Sequence, residues 1–265
     1  MGVRESYDEG IPSWIDLMSP DVDASRTFYS ELFGWDATDE LDDEGNRIYV
    51  TFRKDGKPVA GLGGQFPGME GMPAVWNSYV NTADADATAK KAEAAGGSVM
   101  MEPMDVMEAG RMAVLQDPSG ATISLWQPRQ HIGAELVNGP GTFGWSELQT
   151  RDPGGVRSFY EETFGWKLVD QDMGPMGTYT VATFDGERSF AGLMQMPEDV
   201  PEQVPNYWSV YIGSDDVDAD CEKIKALGGE THAEPFDIPG VGRMAAVADA
   251  QGGAFQLMAG EQWDD

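Results

Sequence analysis

Residues 14–35 read WIDLMSPDVDASRTFYSELFGW, and residues 145–166 read WSELQTRDPGGVRSFYEETFGW. At an offset of 131, ten of these 22 positions are identical, among them Trp14/Trp145, Leu17/Leu148, Asp21/Asp152, Tyr29/Tyr160 and Trp35/Trp166. The register continues outward. Ala60-Gly61-Leu62 matches Ala191-Gly192-Leu193. With one residue inserted, Trp76 matches Trp208, Gly110-Arg111-Met112-Ala113 matches Gly242-Arg243-Met244-Ala245, and Asp117 matches Asp249. Similarity spread over a whole half is the mark of a duplicated unit.

Within each half the local patterns repeat in one order. Residues 13–18 alternate in polarity, as a half-buried strand does. Asp21 then caps a helix with Phe28, Leu32 and Phe33 on one stripe, and Gly34 ends it at C′. In the second half Asp152 is the expected cap, Pro153 the first helical residue and Gly165 the stop. Strand patterns follow at 35–41, 47–54 and 58–65. The order restarts with a strand at 75–81, a helix at 84–95 ended by Gly96-Gly97, and strands near 98–103, 111–116 and 121–127. Each half therefore reads as β-α-β-β-β twice, and the chain as four such modules of α+β class. The expected division is a domain at 1–130, a linker at 131–141 and a domain at 142–265. Asn138-Gly139-Pro140-Gly141 punctuates the end of that linker.

Composition limits the partners. Among 265 residues, 46 Asp and Glu face 17 Lys and Arg, for a net charge of −29. Phosphate-backbone binding needs clustered cations, so nucleic acid is excluded as a partner. No apolar run reaches the ~18–20 residues that span a bilayer, and no polybasic anchor is present. The acids are spread over both halves, as on a solvated acidic surface; electrostatic steering of a cationic ligand is the sharper alternative. A single cysteine, Cys221, excludes an internal disulfide, and the first residues lack a secretory h-region, so a cytoplasmic protein is expected.

The module order, the FY…FGW helix ending and the Asp-Pro-Ser-Gly turn before a last strand resemble the vicinal oxygen chelate superfamily. That superfamily includes glyoxalase I, bleomycin-resistance proteins and extradiol dioxygenases. The resemblance implies two glyoxalase-like domains, each with a curved mixed sheet forming a cup. It also implies metal ligands on the first, fifth and last strands of a half. Carried over by position, these fall on Trp14, Asn77 and Ser124, and on Trp145, Ser209 and Gln256. Only Gln256 among them is a plausible ligand. The fourth ligand falls near Gly61–Gln65 and near Gln195. Neither histidine, His131 in the linker or His232, lies in a pair with ligand spacing. No metal and no cofactor is therefore expected.

Period-two alternation instead puts Asp16 beside Trp14, and Glu147 beside Trp145. Tyr79 and Asn81 join Asn77, Trp126 joins Ser124, and Tyr211 joins Ser209. The expected site is a ligand pocket of aromatic walls with a few polar groups. Trp14, Asn77, Tyr79, Ser124 and Trp126 would line one cup; Trp145, Ser209, Tyr211 and Gln256 would line the other. Asp16 and Glu147 are candidate general bases, or acids satisfied by a partner such as Arg111 and Arg243. The reading is a protein that binds and sequesters a small organic compound, aromatic or cationic. The alternative is a lyase, isomerase or aldehyde-detoxifying enzyme of the same superfamily. A monomer is expected, its halves packed as a pseudo-dimer.

Overall fold

A computed structural model describes residues 1–66, 68–174, 177–198 and 200–260. The end of the expected second domain, 261–265, lies outside the described residues. The first half runs β2 (Pro12–Ser19), α1 (Val22–Phe33), β3 (Asp36–Leu41), β4 (Arg47–Lys54) and β5 (Lys57–Gly64). It then repeats as β6 (Val75–Asn81), α2 (Ala85–Ala94), β7 (Ser98–Val106), β8 (Gly110–Gln116) and β9 (Thr122–Pro128). The second half runs β11 (Phe143–Thr150), α3 (Arg157–Phe164), β12 (Lys167–Asp172), β13 (Thr178–Thr183) and β14 (Ser189–Gln195). It closes with β15 (Tyr207–Gly213), α4 (Val217–Ala226), β16 (Glu230–Ile238), β17 (Gly242–Ala248) and β18 (Ala254–Gly260).

Each half makes its own mixed sheet, ordered β3-β4-β5-β2-β6-β9-β8-β7 and β12-β13-β14-β11-β15-β18-β17-β16. The two modules of a half meet at an antiparallel seam, β2 against β6 and β11 against β15. The expected α+β arrangement of four β-α-β-β-β modules is the one observed. The 131–141 segment is itself structured. Its β10 (Leu136–Val137) pairs with β1 (Gly2–Val3) on one side and with β11 on the other, so the first residues of the chain join the second sheet.

Asp21 accepts from Ala24 N at 3.0 Å, and Gly34 turns left-handed at φ 68, so α1 begins and ends where its sequence directs. The helix of the second half departs from expectation. Asp152 accepts from Gly155 N at 2.9 Å, but residues 153–156 form turns and α3 starts only at Arg157. Gly154-Gly155 make helical backbone costly there, and the carboxylate caps a turn instead.

The helices and the convex faces of the sheets form two cores, and each core draws on both halves. One joins Phe28, Tyr29 and Leu32 of α1 and Phe52 and Leu62 of the first sheet to Ile224 of α4 and Val210, Phe255 and Leu257 of the second. The other joins Ala89, Leu115, Ile123 and Leu125 to Leu148, Phe159, Tyr160, Leu193 and Trp208. Buried polar chains cross in both directions. Trp76 Nε1 donates to Tyr29 Oη at 3.0 Å, and Tyr29 donates to Asp249 Oδ2 at 2.9 Å. Trp208 Nε1 donates to Tyr160 Oη at 2.9 Å, and Tyr160 donates to Asp117 Oδ2 at 2.7 Å. The other carboxylate oxygen of each aspartate accepts from its own turn, at Gly253 N and Ala121 N. Ser78 and Ser146 share a buried hydrogen bond of 2.8 Å between the halves.

Because both cores are shared, urea unfolding is expected to be one cooperative transition; two separate transitions would contradict shared cores. Tyr29→Phe and Tyr160→Phe each leave a buried indole N–H and a carboxylate without their partner. Each should cost on the order of 2 kcal/mol with the denaturant slope unchanged.

Candidate functional site

The concave face of each sheet carries the alternate side chains left over when the core face is filled. On β2, Ile15 and Leu17 point to the core, and Trp14, Asp16 and Met18 point into the cup. All five are buried. Asp16 sits at the centre. Its Oδ2 accepts from Tyr49 Oη and Tyr79 Oη, each at 2.9 Å, and its Oδ1 accepts from Asn77 Nδ2 at 2.9 Å. Trp14 Nε1 donates to Tyr49 Oη at 3.2 Å. Ser124 lies across from Tyr79 in the ladder and hydrogen-bonds its hydroxyl.

The second cup repeats this network with other side chains. Glu147 Oε1 accepts from Tyr211 Oη at 2.8 Å and from Gln149 Nε2. Tyr179 also donates to Glu147, and Trp145 Nε1 donates to Tyr179 Oη at 2.9 Å. Ser209 stands opposite Glu147 and Gln256 opposite Tyr211, so both belong to this cup. In each cup the order is therefore indole N–H, tyrosine hydroxyl, carboxylate.

A glycine makes room for the bridging tyrosine. A Cβ on Gly61 would stand 1.8 Å from Tyr49 Oη, and a Cβ on Gly192 would stand 1.9 Å from Tyr179 Oη. Only a residue without a side chain lets the phenol lie across β5 or β14 and reach the carboxylate. The glycine-rich stretch Gly61-Leu62-Gly63-Gly64 thus has a packing role.

Burial pushes the Asp16 carboxyl above its usual range, against hydrogen bonds from Asn77, Tyr79 and Tyr49 that pull it down. Burial does the same to Glu147, against Tyr179, Tyr211 and Gln149. The phenols of Tyr49, Tyr79, Tyr179 and Tyr211 are driven up by burial and by the adjacent carboxylate, so they remain protonated donors.

The expected arginine partners are elsewhere. Arg111 pairs with Asp86 at 2.8 Å and Asp105 at 2.9 Å, and Arg243 with Asp218 at 2.8 Å and Asp237 at 3.1 Å. Each ties its helix to the outer hairpin of its own sheet, which leaves the cup acids to tyrosine and amide. Asn81 also leaves the cup, donating to Tyr7 O at 2.8 Å and holding the N-terminal segment. Cys221 lies buried in the core, where burial pushes its thiol up and away from nucleophilic character.

Sequence reasoning missed five contributors. Tyr49 and Tyr179 lie on middle strands whose face is set by pairing with β5 and β14; their equivalent places before matching glycines were the available signal. Phe236 is cross-strand from Met244 as Met104 is from Met112, and both Phe236 and Met104 are exposed on the cup wall. His131, nominally in a linker, stacks its ring edgewise on Trp14 at 4.4 Å and on Trp126 at 5.5 Å. Burial holds its imidazole down at about 4.

The donor set does not suit a divalent transition metal. The positions at which the resemblance implies metal ligands carry indole, amide and hydroxyl groups. The one acid per cup already accepts hydrogen bonds from two tyrosines and an amide. Among the described residues no three His, Cys, Asp or Glu side chains converge. No helix among them is long and apolar enough to cross a membrane.

Residues 11–125 and 142–257 each match the family described as the Glyoxalase/Bleomycin resistance protein/Dioxygenase superfamily. The Mycobacterium tuberculosis protein named "Putative glyoxylase CFP32" is 40% identical over 97% of this chain and 98% of its own length. The anthracycline biosynthesis protein DnrV of Streptomyces peucetius is 40% identical over 94% of this chain and 93% of its own. Among solved structures, the Mn(II)-bound glyoxalase from Novosphingobium aromaticivorans superposes with a TM-score of 0.64 at 15% identity. It covers 97% of this chain and 87% of that one, a likeness of fold.

Two measurements check the site. Gly61→Ala and Gly192→Ala should displace Tyr49 or Tyr179 from its carboxylate and destabilise the protein by about 1–3 kcal/mol, read by urea denaturation. For His131, the unfolded chain takes up a proton near the ordinary imidazole value, 6.5, whereas the folded chain resists it down to about 4. Its contribution is therefore intact above pH 6.5 and lost as pH falls toward 4. Between pH 7 and 4.5 the wild type should lose on the order of 2 kcal/mol more stability than His131→Gln.

Proposed function

We propose that this chain, which belongs to the glyoxalase/bleomycin resistance protein/dioxygenase superfamily, binds a small planar organic compound in its cups without a metal and sequesters it. The observation that carries this reading is the repeated network of indole, tyrosine and buried carboxylate at matching positions of both cups. Two copies have kept the network's geometry while exchanging Asp16 for Glu147 and Asn77 for Gln149 as the amide donor. Trp and Tyr faces suit a flat aromatic ligand, with Met104 and Phe236 adding apolar wall. A carboxylate and phenols set among them suit ligand hydroxyl, carbonyl or cationic groups. The naming of a 40% identical relative for anthracycline biosynthesis supports planar aromatic compounds as the ligand class.

The test is titration of the full chain with 1,4-dihydroxyanthraquinone, followed by calorimetry and tryptophan fluorescence. Binding should persist unchanged in excess chelator. Trp145→Ala should weaken it about tenfold, which is ~1.4 kcal/mol of stacking and burial. Binding that arises only with Mn²⁺, Fe²⁺ or Zn²⁺ present would overturn the metal-free reading.

The raised carboxyls of Asp16 and Glu147 favour a second reading, proton transfer to or from a bound carbonyl compound. Asp16→Asn and Glu147→Gln separate the two. A sequestering protein keeps its ligand within a few-fold of wild-type affinity in these variants. An enzyme of the lyase or isomerase type loses on the order of 10²-fold or more in turnover while still binding.

A further inference from the structure

The acid of each cup has an amide at its side, and the two amides come from different strands. In the first cup the amide is Asn77 of β6, cross-strand from Asp16. In the second it is Gln149 of β11, two residues beyond Glu147 on the same strand. The duplicated counterpart of Asn77 is Ser209, and that of Gln149 is Met18. Common descent of a position therefore does not account for the pairing of an amide with each acid.

Each pairing leaves one hydrogen-bonding group unused. A tyrosine hydroxyl has one proton, and Tyr49, Tyr79, Tyr179 and Tyr211 all give theirs to the acid. Tyr49, Tyr79 and Tyr179 also accept, from Trp14, Ser124 and Trp145. The acids themselves are buried, each 4% exposed. A carboxylate only accepts, so each amide must turn its nitrogen toward the acid and its oxygen away. Asn77 Nδ2 accordingly donates to Asp16 Oδ1 at 2.9 Å, and Gln149 Nε2 to Glu147 Oε1. Among the described residues no donor reaches Asn77 Oδ1 or Gln149 Oε1, and neither is one of the buried atoms left without a partner, which are Ser13 Oγ, Asn81 Oδ1, Thr163 Oγ1 and Thr231 Oγ1. Both amide oxygens are therefore reached by solvent, with their lone pairs open to a guest.

From this we infer that the side-chain oxygens of Asn77 and Gln149 determine specificity, and that they select a planar guest carrying a hydrogen-bond donor, a free phenolic hydroxyl or an aromatic N–H. Such a guest lies against the indole and phenol faces and donates to the amide oxygen. A guest of the same shape with only ether oxygens strips water from that acceptor and returns nothing, which is costly. The inference rests on the proposed ligand-binding reading and names the group the ligand must carry.

The experiment compares 2-naphthol with 2-methoxynaphthalene, one ring system with and without a hydroxyl proton, by calorimetric titration of the full chain. Wild type should bind 2-naphthol about tenfold more tightly or better, a ratio worth ~1.4 kcal/mol. In Asn77→Lys/Gln149→Lys each ammonium keeps a donor for the acid and has no acceptor, so the ratio should fall to about one. A ratio near one on wild type, or a preference undiminished in the folded lysine variant, would overturn the role of the amides and leave the cups as ligand sites. No binding of either naphthalene or of 1,4-dihydroxyanthraquinone to wild type would overturn the ligand-binding reading and this inference with it. Should the lysine variant fail to fold or to bind, the wild-type ratio decides alone, a clear preference for 2-naphthol supporting the inference and its absence contradicting it.

Discussion

Two buried chains of hydrogen bonds, Trp76–Tyr29–Asp249 and Trp208–Tyr160–Asp117, hold the molecule together by joining a helix of one half to a turn of the other. Each tyrosine is fully buried amid apolar side chains, where an unpaired hydroxyl or carboxylate is expensive. Satisfying all three groups requires the halves to meet in one orientation only. The hydrophobic cores follow the same crossed rule, module one with module four and module two with module three. With helices and convex faces committed to these shared cores, the concave faces are what remains free for chemistry.

On those faces the protein places an acid without an arginine. A buried carboxylate needs donors, and here phenols and amides supply them. Neutral donors compensate less than a cation would, so burial prevails and both carboxyls are held above their usual range. Arg111 and Arg243 are drawn instead to aspartates on helices and outer hairpins, where they stitch each sheet edge to its helix. Among the described residues neither cup acid pairs with a cation, and aromatic side chains surround both.

The fold is shared with manganese glyoxalases and ring-cleaving dioxygenases, yet the ligating positions carry different chemistry. A scaffold fixes where side chains point; the side chains decide what they can hold. Indole, amide and hydroxyl groups of Trp14, Asn77 and Ser124, and of Trp145, Ser209 and Gln256, stand at those positions. The duplication then allowed the halves to diverge. The segment that leaves the first half must travel to the second, and in doing so it lays His131 over Trp14 and Trp126.

The repeat, the four β-α-β-β-β modules and the cup faces of β2, β6, β9, β11, β15 and β18 were legible in the sequence. They follow from local rules: alternation sets which side chains share a face, and Asp caps and Gly stops set where α1 begins and ends. The start of α3 was misread where Gly154-Gly155 let a turn compete with a helix, and the expected linker holds the short strand β10. Which groups satisfy Asp16 and Glu147 was decided only in three dimensions, because Tyr49 and Tyr179 reach them across a neighbouring strand over a glycine. So was the crossing of the two Trp–Tyr–Asp chains, whose tyrosine and aspartate lie 220 residues apart in one case and 43 in the other. Hydrogen-bond partners at such separations depend on how whole sheets dock, and no spacing along the chain encodes that.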